Sequence, residues 1–348
     1  MSFKMKKRAL AICLVIAMAL LAGCTGGTSS RSEAASGSGS GGSGAAEITL
    51  FAASIPENTP TSAGLEAMAK HINDNAGGAL NAMTYYDTAL GDASSLTEAL
   101  KMGTVDVGVS GTAYFSNIVP EIEVFQLPFL FSDLESARKA TSGPVAEKIN
   151  ALFEPNGIIG LSFWENGFRE LSNNVRAVRT PDDMAGIKMR TLGSRIQIET
   201  WSAFGAMTTQ IDASEIFTSL QQGTIDAQDN PLHEIVSRQL YEVQDYVSLT
   251  DATYTPFYMG MSKLKWDALT GEQQQLIKAA AAVGRDAQIA ATDVAQATAK
   301  QTLIDNGVTV VEDVDKEAFR AIALPLWEIL TGESEIAAAL LEEIQAGM

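Results

Sequence analysis

Cysteine is nearly absent from this chain, with only Cys13 and Cys24 in 348 residues. Both fall at the N-terminal end, so the remainder has no disulfide framework, no thiol nucleophile and no thiolate metal site. Histidine is equally scarce. His71 and His233 are too few and too scattered for a histidine-rich metal site, and each reads more plainly as a helix-surface or core side chain. No metal and no cofactor are expected. Positive charge is also short, 24 Lys and Arg against 42 Asp and Glu. That excludes a general nucleic-acid binder and argues against electrostatic docking on anionic lipid. An anion site is not excluded, because a desolvated local site overrides a distant, screened net charge. Catalytic signatures are missing too. Gly160-Leu161-Ser162 is followed by Phe163-Trp164 and so fails the nucleophile-elbow pattern, and there is no P-loop or metal-ligand spacing.

Long apolar runs are missing from all but the start. Lys4, Lys6, Lys7 and Arg8 precede an apolar stretch, Ala9 to Ala22, that is too short to span a bilayer. Residues 1–23 therefore read as a signal peptide. Leu21-Ala22-Gly23-Cys24 resembles the lipobox of bacterial lipoproteins, which implies cleavage before Cys24 and lipidation of its thiol. The alternative is an ordinary secretory signal with an incidental cysteine. Residues 24–46 are rich in Gly and Ser, a flexible tether reaching roughly 25 Å. Within it Gly39-x-Gly41-x-x-Gly44 matches a dinucleotide fingerprint only formally, since no strand precedes it and no helix follows. The expected location is extracytoplasmic, lipid-anchored to the outer face of the cytoplasmic membrane. Removing the signal takes four basic residues and no acidic ones, leaving 20 against 42, a net charge of −22.

What the chain does have is alternation of short apolar runs with helical patterns, the mark of an α/β protein. Strands are expected at 48–53, 81–86, 105–110, 157–163, 187–191, 225–229 and 246–250, with helices such as 61–75, 194–204 and 231–243 between them. Leu100-Lys101-Met102-Gly103-Thr104-Val105-Asp106 recurs as Leu220-Gln221-Gln222-Gly223-Thr224-Ile225-Asp226. Each copy closes a helix that opens with a capping-box pattern, Ser95-x-x-Glu98 or Asp212-x-x-Glu215. Two similar lobes follow from this echo, although recurrent helix-to-strand grammar also produces such matches. Residues 47–166 with about 256–295 are assigned to lobe I, and 167–255 with about 296–348 to lobe II. Thr270-x-x-Gln273 opens an unusually long helical pattern that runs to Asn306-Gly307. At about 1.5 Å per residue it spans roughly 54 Å, enough to cross both lobes. The competing reading is a break at Gly284.

Gly186-Ile187-Lys188-Met189-Arg190 is the most informative run. Thr180-Pro181-Asp182-Asp183 opens a short helix with Thr180 as N-cap, and Gly186 ends it. The following strand places Lys188 and Arg190 on one face. Ligands in open α/β sheets sit beyond the carboxyl ends of strands, and an arginine there offers a planar fork matched to a carboxylate. A surface ion pair fits the spacing equally well.

Further motifs accompany it: Ala89-Leu90-Gly91-Asp92, Asn166-Gly167-Phe168-Arg169, Gly223-Thr224-Ile225-Asp226-Ala227-Gln228-Asp229-Asn230-Pro231, and Tyr241-Glu242-Val243-Gln244-Asp245-Tyr246. Together they resemble the solute-binding component of tripartite ATP-independent periplasmic (TRAP) transporters, the dicarboxylate-binding DctP-like family, over residues 48 to about 307. The resemblance implies a two-lobed periplasmic-binding-protein-like architecture with a hinge-spanning helix. It implies closure around a small organic acid, a sugar acid or a C4-dicarboxylate, and delivery to integral membrane subunits. It further implies Arg190 as carboxylate clamp, Arg169 as second contact and Asn230 as third. First-lobe contacts are expected near Ala53, Asp92 and Ser110. Phe163 and Trp164 fit either an apolar wall of the site or core packing. Two departures bear on the ligand. The family often has a histidine where this chain reads Leu249-Thr250-Asp251-Ala252, and sialic-acid binders carry polar or aromatic residues where this chain has Ala53, Ala93, Gly111 and Ala213. Sialic acid is therefore not expected. A monomeric, non-enzymatic binding protein is the leading reading, beside a ligand-sensing lipoprotein and an extracytoplasmic enzyme.

Overall fold

The computed structural model describes residues 45–348. The signal segment, Cys24 and nearly all of the tether lie outside them. In chain order come β1 (Ala46–Ala53), α1 (Pro60–Asn75), β2 (Leu80–Asp87), α2 (Leu96–Met102), β3 (Val107–Gly111), α3 (Leu134–Ser142) and α4 (Pro144–Phe153). Then β4 (Ile158–Asn173) leads to β5 (Lys188–Thr191), α5 (Arg195–Ala203), β6 (Met207–Gln210), α6 (Ile216–Gln221), β7 (Ala227–Asn230) and α7 (Leu232–Ser237). The chain returns through β8 (Tyr246–Ser262), α8 (Lys263–Asp267) and α9 (Gly271–Asp305), and ends with β9 (Thr309–Val311), α10 (Lys316–Ala323), α11 (Trp327–Thr331) and α12 (Glu335–Gly347).

One mixed sheet of order β2-β1-β3-β8-β4-β7-β5-β6 runs through both lobes, with β9 paired to β8. Parallel pairs lie at each end, β1 with β2 and β3, and β5 with β6 and β7. The long antiparallel pair β4–β8 joins them. Strand alternation builds two cores per lobe. On β1, Phe51 and Ala53 enter a cluster with Phe115, Phe153 and Tyr258, while Leu50 and Ala52 enter one with Leu65, Met68 and Trp164. In the second lobe one cluster gathers Met189, Trp201, Phe204 and Phe319, and another gathers Ile225, Ile235, Leu240 and Leu303.

β4 and β8 extend well past the strands expected at 157–163 and 246–250. Register shifts between Gly160 and Ser162, Glu165 and Gly167, and Arg169 and Leu171 break the period-two pattern that marks a strand in sequence. Positive φ at Gly167 (126°) and Asp251 (45°) bends the same region. The helix expected over 231–243 stops at Ser237, because Gln239 turns to φ 55°.

α9 is continuous over 35 residues, so Gly284 does not break it. Its N-cap Thr270 accepts from the Gln273 amide at 3.2 Å, while Gln273 Oε1 accepts from the Thr270 amide at 2.9 Å. Gly284 faces Gly64 of α1. A Cβ on Gly64 would lie 2.8 Å from the Gly284 carbonyl, and one on Gly284 the same distance from the Gly64 carbonyl. Two glycines therefore set how closely these helices cross. Lobe assignment at the C-terminus needs correction. Leu340, Leu341 and Ile344 of α12 join the first-lobe cluster of Phe125 and Ile149 rather than lobe II.

The seven-residue echo forms two equivalent joints. Gly103 and Gly223 take φ 69° and 68°, the left-handed cap that only glycine adopts cheaply. Asp106 accepts from the Thr49 amide at 2.8 Å, and Asp226 accepts from the Lys188 amide at 3.1 Å. The capping boxes expected upstream do not form. Asp92 takes the Ser95 amide at 2.9 Å, and Asp212 takes the Ser214 amide at 2.9 Å. Short Asx turns satisfy those donors instead.

Candidate functional site

The Thr180–Asp183 turn forms as its sequence indicates. Asp183 accepts from the amides of Arg179 and Thr180, both at 2.9 Å, and these bonds hold its carboxyl below the usual carboxylate range. β5 then delivers Arg190 to the junction of the lobes. Its side chain is fully buried. Nε donates to the Ile211 carbonyl at 2.8 Å, and Nη2 reaches the hydroxyl of first-lobe Tyr114 at 3.4 Å. Burial pushes the Arg190 guanidinium below its ordinary value and the Tyr114 phenol above its own. Arginine starts so high that it keeps its charge.

Arg169 on β4 stands across the ladder from β7 and is equally buried. Its Nε donates to Asp229 Oδ2 at 2.7 Å, and Nη2 bonds the Asp229 carbonyl and Oδ1. Only Nη1 turns elsewhere, to Thr255 Oγ1 at 3.4 Å. Asn230 is held by its Nδ2, which donates to Gln228 Oε1 at 2.6 Å. Gln228 Nε2 donates in turn to Ser172 Oγ at 2.6 Å.

A third guanidinium, Arg238, pairs with Glu234 Oε2 at 2.8 Å and also donates to the carbonyls of Ala213 and Ser54, at 3.2 and 2.9 Å. Ser54 belongs to the first lobe and Ala213 to the second, so Arg238 bridges them. Asp212 forms a second bridge, accepting from Ser54 Oγ at 2.6 Å and Ser94 Oγ at 3.2 Å. Tyr114 adds a third, its hydroxyl accepting from the Ala213 amide at 3.1 Å. The lobes are closed on each other in this conformation.

Between them lies a narrow cleft. Its volume is about 390 Å³. Ser54, Ser110, Thr112 and Tyr114 line it from the first lobe, and Arg169, Arg190, Asn230, Glu234 and Arg238 from the second. A roomier depression between α3 and α12, lined by Lys139, Pro144, Val145 and Ile344, gathers no comparable set of donors.

Of the expected site residues, Arg190, Arg169, Asn230 and Ser110 meet at this cleft. Phe163, Trp164 and Asp92 do not. Phe163 packs against Phe125 and Tyr258, with centroids 5.1 and 5.0 Å apart. Trp164 fills the space beneath the Gly64–Gly284 crossing. Both lie before the bulge at Glu165 that redirects the strand, so of the two readings left open for them the core one fits. Asp92 is occupied with the Ser95 amide. Tyr114, Asp212, Asp229, Glu234 and Arg238 were not among the expected site residues. For Glu234 and Arg238 the available signal was their four-residue spacing, from α7 to the residue just past its end. Among the described residues no cluster of potential metal ligands occurs, and no helix is long and apolar enough to cross a membrane.

Comparison with known proteins gives a consistent picture. A family described as bacterial extracellular solute-binding protein, family 7 (DctP), matches residues 51–333. The chain is 34% identical over 261 residues to the 2,3-diketo-L-gulonate-binding periplasmic protein YiaO of Escherichia coli, covering 72% of this chain and 78% of that one. It superposes with a TM-score of 0.83 on a TRAP periplasmic solute-binding protein from Bordetella bronchispeptica, which is 34% identical and has density assigned as pantoate; 87% of this chain and 99% of that one align. A TRAP periplasmic solute-binding protein from Polaromonas sp. JS666, bound to D-erythronate, gives the same TM-score at 30% identity, with 86% and 98% aligned.

Proposed function

The chain belongs to the family of bacterial extracellular solute-binding proteins, family 7, and on that premise we propose that it captures a small organic acid anion through Arg190 and hands it to the membrane subunits of a TRAP transporter. One observation carries this reading. Arg190 is a buried guanidinium at the junction of two closed lobes, with no carboxylate in contact among the described residues. Arg169 is matched by Asp229 and Arg238 by Glu234, whereas Arg190 hydrogen-bonds only to neutral oxygens, the Ile211 carbonyl and the Tyr114 hydroxyl. An unmatched buried charge is costly, and a ligand carboxylate on the guanidinium fork removes that cost.

The other roles follow from position. Arg169 Nη1 and the Asn230 amide flank the anion from the second lobe, and the Ser110 hydroxyl approaches from the first. The solutes named for the relatives, 2,3-diketo-L-gulonate, pantoate and D-erythronate, all carry a carboxylate. Capture and release need only lobe closure and opening, so no catalytic step and no cofactor enter the reading. Lipidation of Cys24 and the tether behind it, as the start of the sequence suggests, would keep a monomeric binding protein near its membrane partners.

The test is a thermal-shift screen of organic acids on the purified chain and on Arg190→Lys. An acid that raises the melting temperature of the parent is expected to lose most of its effect on the variant. A point charge cannot reproduce two parallel N–H bonds, and losing a charged hydrogen bond costs roughly 1.5–3 kcal/mol, about ten- to a hundredfold in affinity. Unchanged stabilisation of Arg190→Lys would remove Arg190 from the role.

A further inference from the structure

Tyr114 lies on the short turn Thr112–Tyr114 that follows β3, with its ring buried in the first-lobe cluster of Phe115 and Tyr258. Its hydroxyl reaches from that core to the cleft. There it accepts from the Ala213 amide at 3.1 Å and from Arg190 Nη2 at 3.4 Å, both on the second lobe. A phenol oxygen has two lone pairs for such donors and one proton of its own. Both lone pairs are taken, and no acceptor among the described residues receives the proton. The other first-lobe hydroxyls at the cleft differ. Ser54 donates to Asp212 Oδ1 at 2.6 Å and Ser110 to the Ala53 carbonyl at 3.1 Å, so neither has a proton left to give. Thr112 Oγ1 is unbonded, but only Tyr114 makes a hydrogen bond with Arg190 from this lobe.

We propose that Tyr114 donates this proton to the carboxylate oxygen that Arg190 binds, so that the anion is gripped from both lobes at once. The inference rests on the Arg190 reading above and adds the first-lobe half of the anchor, since Arg190, Arg169 and Asn230 all belong to the second lobe. The long Nη2–hydroxyl contact gives the geometric reason. An anionic oxygen at about 2.8 Å from Nη2 and about 2.6 Å from the hydroxyl closes a triangle whose third side is that 3.4 Å contact. Burial pushes the phenol above its ordinary value although Arg190 and the Ala213 amide pull it down, so the oxygen keeps its proton. Second-lobe groups occupy both lone pairs and thereby fix where the proton points. With the lobes apart those groups withdraw, and the hydroxyl turns to water. The anion therefore gains its first-lobe bond only on closing, and a bond made in one state alone is what drives the equilibrium toward that state.

Calorimetric titration with pantoate and with D-erythronate tests this on the parent chain, on Arg190→Lys, on Tyr114→Phe, and on the chain carrying 3-fluorotyrosine in place of Tyr114. Ring fluorine makes the hydroxyl a stronger donor and a poorer acceptor. For an acid that binds the parent, Tyr114→Phe is expected to lose about ten- to a hundredfold in affinity, the scale of one hydrogen bond to a charged group. Stranding the Ala213 amide would also weaken binding, and the fluorinated chain separates the two causes: it is expected to bind the acid more tightly than the parent does. A hydroxyl that only accepts from Ala213 and Arg190 would instead make the fluorinated chain bind more weakly. That result, or parental affinity in Tyr114→Phe, would overturn the role of Tyr114 and leave the anchor standing wherever Arg190→Lys still loses the acid. Failure of both acids to bind the parent, or parental affinity in Arg190→Lys, would overturn the carboxylate reading together with this one.

Discussion

Glu170 shows how one side chain can tie stability to pH without touching the cleft. It is buried on β4, where its Oε2 accepts from the Asp251 amide at 3.1 Å, close to the Asp251 carboxyl. Burial, and then the Asp251 charge, push its carboxyl well above the usual value, against the Asp251 amide bond and Lys316, which oppose. A raised folded-state pKa means that the folded chain holds this proton more tightly than the unfolded one. The contribution is therefore intact below the ordinary carboxylate range and is lost as pH climbs from there toward the raised value. Glu170→Gln keeps the donor and removes the titration. The variant should match the parent near pH 4 and melt at a higher temperature near pH 7. A melting-temperature difference that stays constant across that interval would contradict the assignment.

At the scale of elements, α9 is fastened to the lobe-crossing strand by one residue. Gln288 Oε1 accepts from the Glu165 amide at 3.0 Å, and its Nε2 donates to the Glu165 carbonyl at 2.5 Å. These bonds satisfy both backbone groups where the β4–β8 ladder shifts register. Gln288→Leu preserves volume and strands them, so a loss of about 2–6 kcal/mol is expected from two buried groups at about 1–3 each. Urea unfolding measures it, and a loss under about 0.5 kcal/mol would show that the ladder satisfies itself. The case also shows what sequence can and cannot carry. The cap at Thr270, the left-handed glycines of the two echoed joints and the Thr180–Asp183 turn were legible because each is decided within a few residues. The full length of β4 and β8 was not, because bulges erase the alternation that marks a strand. Arg190 was legible as a strand-end guanidinium that could equally have served a surface ion pair, and Arg169 and Asn230 only through motif resemblance. Their actual matching, Asp229 to Arg169 and no carboxylate bonded to Arg190, depends on strands 60 residues apart. Tyr114 and Arg238 owe their places to contacts across the lobes, with Arg238 reaching a residue 184 positions away, and no local pattern announces that.

At the scale of the whole molecule, both Asp212 and Arg238 clasp the lobes through Ser54, one by its hydroxyl and the other by its carbonyl. Ser54 adopts φ 55°, a left-handed turn that is uncommon outside glycine. Asp212→Ala removes the two hydroxyl bonds that cross between the lobes, together with the local bonds from Ser214, while leaving Arg190, Asn230 and Glu234 in place. The unliganded variant should be more expanded in small-angle scattering than the unliganded parent, and saturating solute should return both to one radius. Identical unliganded radii would show that these bonds do not decide closure. The Ser54, Ser94 and Asp212 bonds of the clasp run between protein groups and do not use the Arg190 fork, and this separates two properties that are usually tuned together. Apparent affinity equals the intrinsic value scaled by the share of molecules already poised to bind. Weakening the clasp therefore lowers the strength of capture by one common factor for every solute, leaving their rank order to the cleft. A lineage could thus match its uptake threshold to scarce or plentiful surroundings by editing Ser94 or Asp212, with selectivity untouched.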